Sequence, residues 1–430
     1  GNNADGQLGY GNIDAIGNDA GEMGNTLPAV DLGTGRKAKA ITGGNAHTCA
    51  LLDNGTVKCW GRGAGGMLGY GDTGTRGDGE GEMGNTLPAV DLGTGRKAKA
   101  IVSGAGHTCA ILDNGTVKCW GSNDYGELGY GDTNSRGDSF AAGREMGNLL
   151  PAVDLGTGRT AKSVSLGWYH TCAVLDNGTV KCWGDSSVGQ LGVGDADRRG
   201  DDPNEMGDNL PTVNLGVRVR SLSVAFDHAC AILQNRTLQC WGYNSNGMLG
   251  YGDPDNRGDD PNEMGDNLPT VNLGTGRTVL AVASSDYHDC AILDDKSVKC
   301  WGDGGTGVRN DLMPGGDLIL GNGPGEMGDN LPAVNLGTGR TAKAIAVGGT
   351  SSCAILDNGS VKCWGGNSSG QLGQGNIISR GDTAEAGHEM GDGLPAVNLG
   401  KGRKAKAIAT NGETVCAILD NGALKCWGDN

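Results

Sequence analysis

Fourteen cysteines are the residues of this chain best suited to do chemistry, and their spacing says which chemistry. They form seven pairs, Cys49 and Cys59, Cys109 and Cys119, Cys172 and Cys182, Cys230 and Cys240, Cys290 and Cys300, Cys353 and Cys363, and Cys416 and Cys426, each ten positions apart. Zinc draws its four ligands from closely spaced cysteine pairs or from histidines, and nine intervening residues do not supply that set. Two strands joined by a tight turn bring such residues opposite one another, so seven disulfides are expected. A ten-residue loop closed in this way contributes about 2 to 3 kcal/mol. Paired cysteines in this number place the chain in an oxidising compartment, secreted or at a cell surface.

Other groups offer less. Five of the six histidines, His47, His107, His170, His228 and His288, stand two residues before the first cysteine of a pair, where Ser351 and Thr414 stand in the last two. A position used alike five times is expected to be a structural hydrogen-bonding site rather than a catalytic base. His388 is a lone loop histidine. Neither a G-x-S-x-G nucleophile turn nor a phosphate-binding loop occurs, so no catalytic residue, no cofactor and no enzyme activity are expected.

Carboxylates concentrate after each C-W-G. In the fullest case Asp253, Asp255, Asp259, Asp260 and Glu263 surround Arg257. Oxygen ligands of this kind suit calcium, with Asp253, Asp255, Asp259 and Glu263 as its ligands. Arg257, however, stands where a third acidic ligand would, and no glutamate occupies the twelfth place. An arginine that pins its own loop is the favoured reading, and calcium the weaker one. Arg-Gly-Asp begins at Arg76, Arg136, Arg199, Arg257 and Arg380, a recurrence that repetition explains without integrin binding. Six N-glycosylation sequons begin at Asn54, Asn114, Asn177, Asn235, Asn358 and Asn367; their use depends on a eukaryotic secretory source.

The elements that hold these groups repeat with them. Successive first cysteines are 60, 63, 58, 60, 63 and 63 residues apart, and an L-P-[AT]-V segment opens each unit at Pro28, Pro88, Pro151, Pro211, Pro269, Pro332 and Pro395. Of 430 residues 83 are glycine, and only two are phenylalanine. Much of the glycine sits at recurring turn positions. Short β-prone runs at 29–32, 38–42, 49–52 and 56–60 predict four antiparallel strands per unit. A three-residue turn at Asp53-Asn54-Gly55 places Leu52 opposite Thr56, Leu51 opposite Val57, Ala50 opposite Lys58 and Cys49 opposite Cys59. The cysteines then fall on a non-hydrogen-bonded pair, where side chains approach most closely. Seven four-stranded units of about 60 residues predict an all-β, seven-bladed propeller in a single domain, 1–430. The first eleven residues resemble the stretch that follows C-W-G elsewhere, so 1–11 should complete the last blade and close the ring.

The pattern G-x-x-H-T-C-A-[IVL]-L-D-N-G-[TS]-V-K-C-W-G-x-N-x-x-G-x-L-G, read from Gly104 to Gly129, resembles the repeat of the regulator of chromosome condensation family in its secreted, cysteine-containing form. The resemblance spans nearly the whole chain and implies a seven-bladed propeller. It does not imply one activity, since such propellers serve as exchange factors for a small GTPase, as a plant ultraviolet-B photoreceptor, as inhibitors of β-lactamases and as interaction domains. A nuclear exchange factor fits poorly with paired cysteines and a net charge of −16. The photoreceptor's G-W-x-H-T motif occurs only at Gly167-Trp168-Tyr169-His170-Thr171, and the other seven tryptophans, one after each second cysteine, are expected to pack the blades.

A charge of 34 − 50 = −16 repels polyphosphate, so nucleic acid is not an expected partner. No apolar run approaches the roughly 18 residues a membrane helix needs, so membrane insertion is not expected either. Long identical copies, such as 21–41 and 81–101, suit a surface that binds or builds. The pattern breaks at 302–325, where Val308, Leu312, Met313, Leu318 and Ile319 form an apolar candidate contact for a partner. Basic Gly-Thr-Gly-Arg turns and acidic connections, placed on opposite faces, suggest docking or stacking by charge. The expected role is an extracellular, non-enzymatic protein-interaction or structural module, acting through a protein partner or self-association. It could be a building block of a surface or filamentous assembly; a secreted enzyme inhibitor is the alternative, and a nucleotide exchange factor a weaker third reading.

Overall fold

A computed structural model describes residues 3–138, 145–304, 306–307, 319–381 and 390–428. Seven small antiparallel sheets follow one another along the chain, each built on one unit. In the first unit the strands are Ala38–Gly43, His47–Leu52 and Val57–Gly61. The pairing Leu51–Val57, Ala50–Lys58 and Cys49–Cys59 matches the register expected from the turn, and Leu52 N donates to Thr56 O at 2.8 Å. All seven cysteine pairs are bonded across their hairpins, with Cα atoms 4.1 Å apart in the first.

The strand count departs from expectation. Six sheets have three regular strands and the fifth has four. The run 29–32 forms no strand in its own unit; Val30 N instead donates to Leu424 O of the last sheet at 2.9 Å, as Val90 N does to Val57 O at 2.8 Å. The outer edge is satisfied piecemeal. Tyr70 Oη accepts from Cys59 N at 3.0 Å and donates to Cys59 O at 2.9 Å, while Gly61 and Arg76 exchange backbone bonds of 2.7 and 3.0 Å. In this unit a side-chain hydroxyl and two isolated backbone contacts therefore occupy the place of a fourth strand.

The second and third strands are buried along their whole length, and the seven tryptophans after the second cysteines are fully buried. Six of their indoles donate to a backbone carbonyl more than fifty residues earlier: Trp60 Nε1 donates to Gln7 O at 2.9 Å and Trp120 Nε1 to Met67 O at 3.1 Å. Gly69 lies against Trp120 with φ +74, where a Cβ would sit 2.7 Å from Nε1; only glycine fits there. Lys58 is buried as well, its ammonium donating to Leu32 O at 3.1 Å and Gly84 O at 2.6 Å. The chain ends meet in the same manner. Tyr10 Oη donates to Cys426 O at 3.0 Å, Lys425 Nζ to Gly24 O at 2.6 Å, and Ile16 pairs with Gly428. The first strands of all seven sheets line one cavity, walled by Ile41, Val102, Leu166, Leu222, Val282 and Ile345 among others.

Candidate functional site: the mouth of the central cavity

Strand direction puts two kinds of turn at opposite ends of every sheet. At one end lie the Gly-Thr-Gly-Arg turns and the hairpin tips. Their charges neutralise one another: Arg36 pairs with Asp53 at 3.3 Å, Arg96 with Asp113 at 3.2 Å, Arg159 with Asp176 at 3.1 Å and Arg340 with Asp357 at 3.2 Å. The arginines of that end are thus tied up in repeated ion pairs with the hairpin-tip aspartates.

At the other end the first and second strands are joined by two residues ahead of the repeated histidine position. The leading residue of each turn, Asn45, Ala105, Trp168, Phe226, Asp286, Gly349 or Gly412, lines the mouth of the central cavity, which holds about 140 Å³. Four of these are small or neutral. The third, fourth and fifth turns are Trp168-Tyr169, Phe226-Asp227 and Asp286-Tyr287. Trp168 and Phe226 are in contact, centroids 4.1 Å apart, and Trp168 meets Tyr169 edge-on at 5.9 Å. Tyr169 packs on Tyr125 at 4.5 Å, and the Arg198 guanidinium covers Tyr125 at 4.5 Å while reaching Asp185 at 3.3 Å. Trp168 is the one tryptophan that keeps solvent contact. Burial raises the Asp286 carboxyl above the usual range, and burial together with Asp185 pushes Asp227 up to about 6.

Behind the turns the histidines lock blade to blade. His47 Nε2 lies 2.8 Å from Thr108 Oγ1, His107 Nε2 2.9 Å from Thr171 Oγ1, and His288 Nε2 2.7 Å from Ser352 Oγ. Thr108 and Thr171 give their own protons to Met67 O and Glu127 O, so these two histidines donate through Nε2 and are neutral. Burial holds His47 down to about 4 and His107 to about 3. The expectation of a structural hydrogen-bonding position is met, with two departures. In the fourth unit Ala229 stands at the position that Thr108 and Thr171 hold in theirs, and neither ring nitrogen of His170 has a hydrogen-bond partner. His228 faces Asp289, 3.0 Å away and fully buried; burial, the largest single influence, lowers His228, but Asp289 together with Asp286 and Asp227 raises it. His228, Cys230 and Asp289 lie close enough to suggest a metal. Cys230 is bonded to Cys240, so it offers no thiolate, and two ligands do not make a site.

The acidic connections are pinned by their arginines. Arg257 holds Asp253 at 2.9 Å and covers Tyr251 at 5.6 Å; Arg76 with Asp72 and Tyr70, and Arg136 with Asp132 and Tyr130, repeat the arrangement. Glu263 accepts from Gly258 N at 2.7 Å and Asp260 N at 3.2 Å. Of the four calcium candidates, Asp253 and Glu263 are thus committed to the loop itself, and Asp255 and Asp259 are not joined to them in a shared site among the described residues. The Arg-Gly-Asp arginines at 76, 136, 199, 257 and 380 bridge to the outer strand, which fixes them as framework.

Asn54, Asn114, Asn235 and Asn358 are exposed at hairpin tips and Asn177 is half-buried there; the sixth sequon is overturned. Asn367 is fully buried, its amide donating to Asn376 O at 2.8 Å and Ile378 O at 3.0 Å and accepting from Leu372 N at 2.9 Å, so it has no room for a glycan. Of the apolar contact candidates, Ile319 is half-buried in a two-residue strand, Ile319–Leu320, pairing with Asp303, while Leu320 is buried in the core. Val308, Leu312, Met313, Leu318 and also His388 lie outside the described residues. No helix among the described residues is long and apolar enough to cross a membrane. The sequence sets Trp168 apart as the one tryptophan that does not follow a second cysteine, but Phe226 and Asp286 carry no local signal; aligning the two residues before the histidine position in all seven units is what groups the three.

Comparison with known proteins agrees with this architecture. The Regulator of chromosome condensation (RCC1) repeat matches residues 38–66, 98–127, 161–190, 219–247 and 342–371, and a second form of that repeat matches 114–174. The chain is 28% identical over 353 residues to the Ultraviolet-B receptor UVR8 of Arabidopsis thaliana, covering 80% of this chain and 69% of that one. It is 29% identical over 345 residues to the mitochondrial RCC1 domain-containing protein RUG3 of the same plant, covering 77% and 66%. Among solved structures, Prp20p of Saccharomyces cerevisiae aligns with a TM-score of 0.64 at 18% identity, covering 91% of this chain and 82% of that one. Human WBSCR16 aligns with a TM-score of 0.65 at 16% identity, covering 98% and 96%. Seven small sheets, a matching propeller fold and the repeat recognised in five units make the chain similar to proteins built of the RCC1 repeat.

Proposed function

We propose that this protein is an extracellular, non-enzymatic interaction module that engages a protein partner at the mouth of its central cavity. The observation that carries this reading is the concentration of surface aromatics and carboxylates on three consecutive turns of an otherwise repeated ring. Half-buried aromatic side chains such as Trp168 and Phe226 at a concave opening are what a protein interface uses as anchors. Related propellers bind proteins: yeast RCC1 (Prp20) forms a complex with Kap60, and Prp20p has binding properties toward Gsp1p and histones. Residues 1–430 are read as one seven-bladed propeller, with four strands counted in each blade once the piecemeal outer edge is included. The hydrogen bonds of Tyr10 and Lys425 across the chain ends support closure of the ring by the two terminal segments, with 1–11 completing the last blade. Seven disulfides support an oxidising location, and five tip asparagines would carry glycans in a eukaryotic secretory source.

The test is capture from the native extracellular fraction with the wild-type chain and with Trp168→Ala and Phe226→Ala variants. A stoichiometric partner lost by both variants supports the reading, and capture indifferent to them overturns it. A partner that is an enzyme silenced in the complex would make the protein an inhibitor; bound copies of the same chain would make it an assembly block. Intact mass before and after reduction must rise by fourteen hydrogens, and free thiols throughout would refute the extracellular assignment.

A further inference from the structure

The chemistry of the mouth narrows what it takes, on the footing that the mouth is the binding face. Around the ring this chain solves one problem three times: a carboxylate and an aromatic face hold a guanidinium between them. Asp72 and Tyr70 hold Arg76, Asp132 and Tyr130 hold Arg136, and Asp253 and Tyr251 hold Arg257, with ion-pair distances of 2.7 to 2.9 Å and ring distances of 5.4 to 5.8 Å. Close by the mouth, Asp185 and Tyr125 hold Arg198 in the same way.

The mouth itself offers the first two members of that set without the third. Trp168 and Phe226 give an aromatic face and Asp286 a carboxylate, all lining one opening. The buried His228 lies near enough to act on Asp286 electrostatically, but it is already paired with Asp289, and no lysine or arginine lines the opening. Asp227 and Asp185 deepen the negative potential, and Leu166, Val224 and Val347 line the opening together with Ser103, Ser284 and Ser285. A partly desolvated carboxylate favours a cation, and a ring face favours a flat one.

We propose that the mouth receives an arginine side chain presented by a segment of a partner protein, its guanidinium paired with Asp286 and stacked on Trp168 and Phe226. Its apolar stem would lie on the small residues across the ring, Ala105, Gly349 and Gly412.

The probes are the peptide acetyl-Gly-Ser-Arg-Ser-Gly-amide and its analogues with citrulline or lysine in place of arginine, titrated calorimetrically and by the fluorescence of Trp168. The arginine peptide should bind tightest and the neutral isostere citrulline about tenfold or more weaker, as expected for loss of a charge-assisted hydrogen bond. Asp286→Asn should bring the arginine peptide down to the citrulline level, and Trp168→Ala should weaken both peptides. Asp255→Asn on an outer connection should change nothing, while circular dichroism checks that each variant folds. Equal binding of arginine and citrulline, indifference to Asp286→Asn, an equal loss in Asp255→Asn, or no binding at all would each overturn the proposal. If the captured partner still depends on Trp168 while no peptide binds, the arginine is wrong and the interaction face stands; if neither depends on Trp168, both fall.

Discussion

The blades that carry the first two histidine contacts and the blades that form the aromatic side of the mouth share strands, disulfides and buried tryptophans, yet they join differently. Between units one and two and between two and three, a neutral histidine donates to a threonine hydroxyl that is itself tied to a backbone carbonyl. Between units three and four the threonine is replaced by Ala229 and His170 is left unpartnered; between four and five Asp289 replaces it and His228 gains a buried ion pair. The same three units carry Trp168, Phe226 and Asp286 at the surface. Where the repeat is kept, the contacts serve the ring; where it is broken, one packing defect and one buried charge pair lie directly beneath residues suited to binding.

Acid should expose this contrast most strongly. The folded values of His47, His107, His170 and His288, at about 4, 3, 3 and 4, lie below the 6.5 of an exposed imidazole. Their contribution is complete above pH 6.5 and is lost as pH falls toward 4, by roughly 3 kcal/mol for each. Glu127, raised to about 7 by burial, and Asp227, raised to about 6, take up protons in the folded state and offset part of that loss. His228, whose folded value is raised by Asp289, acts in the opposite sense to its four counterparts: its stabilisation is present below 6.5 and is lost as pH rises through the folded value. Denaturation midpoints measured from pH 8 to pH 4 should therefore fall overall. Replacing His107 with glutamine should flatten the fall, and replacing His228 should not.

Single substitutions separate the two regions further. His228→Leu leaves Asp289 as a buried carboxylate without its partner and should cost about 3 to 5 kcal/mol in urea unfolding. Thr108→Val removes the acceptor of His47 and should cost about 1 to 2 kcal/mol by the same measurement. Ala229→Thr restores to His170 the hydroxyl that units two and three provide, and should stabilise by about 0.5 to 1.5 kcal/mol. If Ala229→Thr proves neutral or destabilising, the vacancy beside His170 is not a lost hydrogen bond and the contrast between the regions weakens.

Much of this was legible from the residues. The hairpin register followed from one three-residue turn, because Asp53-Asn54-Gly55 fixes which residues face each other, and with it came the cysteine pairing. The arginine pin was legible because Arg257 interrupts a set of ligands that calcium would need. The fourth strand was not. Residues 29–32 look like a strand by composition, yet their hydrogen bonds go singly to the neighbouring sheet, and a tyrosine hydroxyl fills the gap between. Asn367 shows the same limit from another side, since a sequon records three residue types and says nothing of burial.

The sequence by itself determined the number of units, their turns, their disulfides and their tryptophans, because each depends on residues close along the chain and recurs seven times. Only the tertiary structure decided which departures from the repeat face one another. Trp168, Phe226 and Asp286 are about sixty residues apart in sequence and become neighbours because successive first strands stand side by side around one cavity. A binding site assembled from one residue per blade leaves no local signature; it exists only when the ring brings its turns to a common opening.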